Sequence, residues 1–181
     1  MKDYRRQYPL FSLCGLNCGL CPMFIGKYCP GCGGGPGNQP CAIVRCSCKR
    51  DGIEYCYQCT EYPCDKYEGI DAYDSFITHR NQLKDFEKVR KNGIEAYQSE
   101  LIEKMGILDY LLANFNDGRR KSFFCIAVNL LELQDLKTAM GQIPAEANDL
   151  PLKEKSAYVA NLLQAVAAER NVQLKLNKKP T

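Results

Sequence analysis

The sequence predicts two joined parts: a small, irregular, metal-stapled N-terminal region built of zinc knuckles, packed on a mainly α-helical C-terminal bundle. Three observations carry that fold class. Eleven of the twelve cysteines fall between Cys14 and Cys64, leaving only Cys125 outside. The same stretch is dense in glycine, above all in GCGGGPG, and poor in large aliphatic side chains after Ile25. Beyond Cys64 cysteine almost vanishes, and apolar residues begin to recur at helical spacing. The chain divides accordingly into residues 1–64, a cysteine-rich metal-binding region, and residues 65–181, a helical domain.

In the first part, three cysteine pairs have the two-residue gap of a metal knuckle: Cys18-Gly-Leu-Cys21, Cys29-Pro-Gly-Cys32 and Cys56-Tyr-Gln-Cys59. Two thiolates so spaced can chelate one tetrahedral ion, because the intervening turn points backbone N–H groups at the sulfurs. Pro30 pre-shapes the second turn, and the glycines after it let the chain double back. Pairing nearest neighbours sets Cys18, Cys21, Cys29 and Cys32 around one ion. It sets Cys56 and Cys59 around another, with two of Cys41, Cys46, Cys48 and Cys64. A cross-braced arrangement fits the spacings equally well, and Cys14 could replace any member of the first group. A segment with so little core needs staples of this kind.

The N-terminus, MKDYRRQYPLF, contains Asp3 and no apolar run of the secretory type, and no later stretch is long enough to cross a bilayer. The expected location is cytoplasmic, where clustered cysteines hold metal more often than disulfides. Thiolate ligands with a single histidine, His79, favour zinc, about two ions for the thiols available. An iron–sulfur cluster is disfavoured. The spacing Cys14-x3-Cys18-x2-Cys21 suits a four-iron cluster, but no alternating strand–helix pattern follows it. The formal charge of +3 is too small and too evenly spread to serve as a nucleic-acid footprint.

Four stretches, CGLNCGLCPMF, YCPGCGG, CAIVRCSCKRDGIEYCYQCTEYPCDKY and NDGRRKSFFCIAVNLL, together resemble the DUF3795 family, a cysteine-rich domain of unknown function. The resemblance is close over residues 11 to 75 and looser through residue 131. It implies zinc binding with no established activity or substrate. It places the family's cysteines on Cys14, Cys18, Cys21, Cys29, Cys32, Cys41, Cys46, Cys56, Cys59 and Cys64, with Cys48 outside the pattern.

In the second part the spacing predicts a helix over residues 65–77 and a short helix capped by Asn81, with Gly93 breaking the chain before a third. From Tyr97, the residues Leu101, Met105, Leu108, Leu112 and Phe115 form a core-facing stripe that Gly106 could divide. Phe123 to Val128 is apolar on every face, the pattern of a buried central helix, and it absorbs Cys125 as a core residue. A last helix is expected from Leu152 to Arg170, and VQLKL after Asn171 alternates as a short strand would.

Arg119, Arg120 and Lys121 stand in the first turn of the predicted buried helix, where positive charge opposes the helix dipole. Such a cluster beside free N–H groups suits a phosphate-bearing ligand or an acidic partner protein. The plainer reading is solvated charge, partly neutralised by Asp117. The expected function is that of a structural zinc protein serving as a binding or adaptor module, without catalysis. The alternative is a redox sensor or metal-dependent enzyme using zinc–thiolate or iron–sulfur chemistry.

Overall fold

The structure, a computed structural model, describes residues 4–39, 41–50 and 52–180. Seven α-helices are present among them: α1 (Pro22–Ile25), α2 (Ala42–Cys48), α3 (Gln82–Asn92), α4 (Ile94–Phe115), α5 (Lys121–Leu130), α6 (Leu133–Gly141) and α7 (Leu152–Glu169). Short 3₁₀ turns lie at Cys18–Leu20, Cys56–Gln58, Asp65–Tyr67 and Ala145–Asp149. The described residues form no strand, and the one isolated bridge pairs Arg5 with Gly34.

The bundle is organised around α4, which packs against α3, α5, α6 and α7. Gly93 makes the α3–α4 corner at φ 88° and ψ 158°, a conformation open in practice only to glycine. Gly106 does not divide α4, which runs unbroken for 22 residues. Its buried face is Tyr97, Leu101, Lys104, Leu108, Leu111 and Phe115, rotated from the predicted stripe so that Met105 and Leu112 fall at its margin. Helix α5 is the buried centre that its composition predicts, with Phe124, Cys125, Ala127, Val128, Asn129 and Leu130 all out of solvent.

Two predicted elements are absent. Residues 65–77 form only the Asp65–Tyr67 turn and further bends, because Gly69 takes φ 62° and turns the chain out of any helix. The carboxylate of Asp74 then holds the following loop, accepting from the Thr78 hydroxyl at 3.3 Å and the His79 amide at 2.7 Å. VQLKL finds no strand to pair with. It runs along this loop instead: the Asp74 amide donates to the Asn177 carbonyl (2.8 Å), the Asn177 amide donates to Asp74 Oδ2 (2.7 Å), and Arg80 donates to the Lys175 carbonyl (2.6 Å).

Among its described residues the cysteine-rich part has neither a zinc knuckle nor a metal staple, and other contacts hold it. A single buried apolar cluster contains its Phe11, Leu20 and Tyr55 together with Tyr67 just beyond it, Phe86 and Val89 of α3, and Leu101, Leu108 and Leu111 of α4. Phe86 is its hub, meeting the rings of Phe11, Tyr57 and Tyr62 with centroids 5.2 to 5.6 Å apart. The Arg6 side chain, 1 % exposed, supplies the polar staple. It donates to the carbonyls of Phe11 (2.8 Å), Glu54 (2.8 and 3.2 Å) and Cys32 (3.4 Å), tying three separate stretches to one guanidinium. It also pairs with Glu54 Oε1 at 3.1 Å and lies 4.8 Å from the centroid of the Tyr55 ring. Aromatic side chains and one buried cation therefore replace the aliphatic core whose scarcity suggested metal.

Candidate functional site

The cysteines are spread over many local environments. Cys18 opens the first 3₁₀ turn, Cys21 caps α1, and Cys29 and Cys32 lie in the loop toward α2. Cys41 caps α2, its sulfur accepting the Val44 amide at 3.3 Å. Cys46 and Cys48 end that helix, Cys56 and Cys59 bracket the second 3₁₀ turn, and Cys64 precedes the third. Cys14 Sγ lies 3.2 Å from the Ser12 hydroxyl, while Cys41 and Cys48 are exposed. Cys125 is the buried core residue expected of it.

Four of them, Cys46, Cys56, Cys59 and Cys64, line one small cavity of about 40 Å³ with Leu13, Ile43, Arg50 and Tyr67. Arg50 reaches into this group, its Nη1 3.9 Å from Cys59 Sγ and its Nη2 2.6 Å from Glu61 Oε2. Among the described residues, no group of three or more His, Cys, Asp or Glu side chains is placed to hold a metal ion. The expected pair of zinc ions and the iron–sulfur alternative are both corrected by this, along with the structural-zinc function and the thiolate redox chemistry built on them. The physical reason lies in how the sulfurs are used: as helix caps, in bonds to Ser12 and Arg50, and as apolar filling. Burial pushes the Cys14 thiol up to about 11 and the Cys56 thiol up to about 12. It also raises Cys18, Cys21 and Cys32, so these groups are neutral thiols in neutral solution.

A buried polar network joins the cysteine-rich part to the bundle, and sequence reasoning missed it. The Asn17 side chain donates to Asp85 Oδ2 (2.9 Å) and Asn129 Oδ1 (3.1 Å) and accepts from the Tyr97 hydroxyl (2.9 Å). Gln82 and the Tyr67 hydroxyl both donate to the Cys14 carbonyl, at 3.0 and 3.2 Å. Desolvation pushes the Asp85 carboxyl up to about 6 against the pull of Lys104, whose own ammonium burial drives down. At the network's edge, Lys88 bridges Glu100 (2.8 Å) and Glu132 (2.6 Å). The available signal was Lys104, a charge on the Tyr97–Leu101–Leu108 stripe.

His79 is committed to the loop, with Nδ1 3.0 Å from the Ile70 carbonyl and Nε2 3.0 Å from the Ser75 hydroxyl.

Of the basic cluster expected in the first turn of the buried helix, only Lys121 lies in α5, with Arg120 at its N-cap and Arg119 just before it. The amides of Gly118 and Arg120 donate to Asn116 Oδ1 at 3.1 and 3.2 Å, and the Arg119 amide donates to Asp117 Oδ1 at 3.0 Å. The amides of this turn are thus taken, but no side chain caps α5 itself. Arg119, Arg120 and Lys121 enter no ion pair among the described residues, as is also true of Arg45, Lys91, Lys153 and Lys155 on other helices, while Lys84, Lys88, Lys104 and Lys137 are paired. The Arg120 guanidinium sits 6.0 Å from the Phe123 ring centroid. Lys121 Nζ reaches Gly26 at the end of α1, 3.1 Å from where a Cβ there would lie.

No family model, curated protein or solved structure matches the chain. The resemblance to the DUF3795 family read from those four stretches is corrected accordingly, and the described side chains are not arranged for the zinc binding it implied. Among the described residues, no helix is long and apolar enough to cross a membrane.

Proposed function

We propose that this chain binds a phosphate-bearing ligand at the start of α5, without turnover. The observation that supports this is the set of three consecutive cations, Arg119, Arg120 and Lys121, with no ion pair among the described residues, where no side chain caps the first turn of α5. Phosphate suits such a place because guanidinium forks and helix N-terminal amides both favour oxyanions. Binding is favoured over catalysis because His79 is held by two structural contacts and several thiols are kept neutral by burial.

The test is titration with inorganic phosphate and with phosphoserine, followed by NMR shifts of the Ser122 and Phe123 amides. In the triple variant Arg119→Ser, Arg120→Ser, Lys121→Ser, the shifts should vanish while far-ultraviolet circular dichroism is unchanged. Equal phosphate affinity in the variant and the parent would refute the proposal.

A further inference from the structure

An open groove of about 490 Å³ lies beside the α5 terminus, between the α1 segment and α4. Phe24, Ile25, Tyr28 and Met105 are among its lining residues, with Lys27 and Asp109 as its charges. Tyr28 is 73 % exposed, a large aromatic ring with little covering it. The groove and one member of the basic cluster, Lys121, meet at Gly26. This residue lies between Ile25 and Lys27 of the lining and against Lys121 Nζ.

We infer that the phosphate-bearing ligand is a phosphorylated peptide whose neighbouring apolar side chain enters this groove; this rests on the phosphate reading above. The charges select the occupant. Lys27 and Lys121 make the end nearest α5 positive, so a ligand with one anionic group there is complemented. Asp109 lines the same groove, so a uniformly anionic chain such as RNA meets repulsion along it. The apolar lining then demands an apolar group next to the phosphate, which a peptide supplies and a free phosphate does not.

Gly19 offers a way to fill the groove without touching a cation. A Cβ there would stand 2.6 Å from Met105 Sδ, and both residues line the groove, so Gly19→Ala adds a methyl to the lining and displaces the thioether. Tyr28→Ser removes the exposed ring and serves as a second variant, in a position where folding is not at stake. The probe is a peptide selected from a random library carrying one fixed phosphoserine, measured by fluorescence anisotropy beside inorganic phosphate.

The expected result is an apolar residue selected near the phosphoserine, and affinity for that peptide reduced about tenfold in both variants with phosphate affinity unchanged. If phosphate binds but neither variant alters peptide affinity, or no apolar residue is selected, the groove inference is overturned while the phosphate reading survives. If an RNA oligomer displaces the peptide at equal concentration, the peptide assignment is overturned. If inorganic phosphate itself does not bind, the underlying reading fails and the groove inference falls with it.

Discussion

Replacing Arg6 with methionine tests whether a buried guanidinium fork, in place of metal, holds the cysteine-rich part together. Methionine keeps most of the apolar stem, so the change removes donors with little loss of packing. The two 2.8 Å bonds, to the Phe11 and Glu54 carbonyls, are the strongest lost, and the contacts at 3.2 and 3.4 Å add less. At about 1.5 kcal/mol for each short bond from a charged donor, with buried carbonyls left unpaired, Arg6→Met should cost about 3 to 4 kcal/mol. Glu54→Gln removes the ion pair and keeps its main-chain carbonyl. Since the Glu54 side chain is 30 % exposed, its loss should cost about 1 kcal/mol. The measurement is urea unfolding followed by circular dichroism and tyrosine fluorescence, with linear extrapolation to water. Equal losses in the two variants would refute the reasoning, because the charge pair and not the carbonyl fork would then be the staple.

Two more outcomes follow from the core and from the buried carboxylate. Phe86→Ala should destabilise by about 3 to 5 kcal/mol, since a ring shared by both parts is lost into a cavity; a loss under about 1 kcal/mol in the same urea assay would place the junction elsewhere. Asp85 has a folded pKa of about 6, above its ordinary value of 3.8, so its favourable contribution is complete below pH 3.8 and is lost as pH rises through 6. The conversion of 1.36 kcal/mol per unit makes this about 3 kcal/mol over that window. Glu132 acts oppositely at lower pH. Although desolvation opposes its ionisation, bonds from Lys84 and Lys88 hold it down at about 2, so its contribution is present above 4.5 and lost as pH falls through 2. Unfolding free energy measured across pH 4 to 6 should therefore decline with rising pH, and the slope should vanish in Asp85→Asn. A slope unchanged in the variant would show that other groups cause it.

The helical half was largely legible because its signals are local. Gly93 marks a corner, Phe123 to Val128 a buried helix, and the residues after Pro151 a final helix that the structure ends at Glu169. The loop from Gly69 to Arg80 was not, since its conformation depends on Asn177 and Lys175, about a hundred residues away. The cysteine-rich part misled for a related reason. Counting aliphatic residues missed Phe11 and Tyr55, buried in a ring cluster in which Phe86 of α3 meets Phe11 and Phe11 meets Tyr55. Cysteine spacing suggested chelation, yet spacing records what a turn allows, while the side-chain positions depend on Arg6, Asn17 and Arg50. Nothing in the local sequence marks Arg6 as a buried cation or Asn17 as the link to Asp85. The basic cluster was legible as three consecutive cations, and it is that adjacency, ahead of a buried helix, that sets it apart.

The loop held by Asp74 carries a consequence for the order of events on the ribosome. Its carboxylate takes partners from Thr78 and His79, made almost at once, and from Asn177, 103 residues later. At synthesis rates of about 5 to 20 residues per second, the wait for that last partner is about 5 to 20 s. Throughout that interval the nascent chain can form α3 through α6, but the 70–80 loop has no strap. Tyr73 and Phe76 of this loop stay exposed even in the finished fold, so the strap that closes last fixes the backbone and covers no ring.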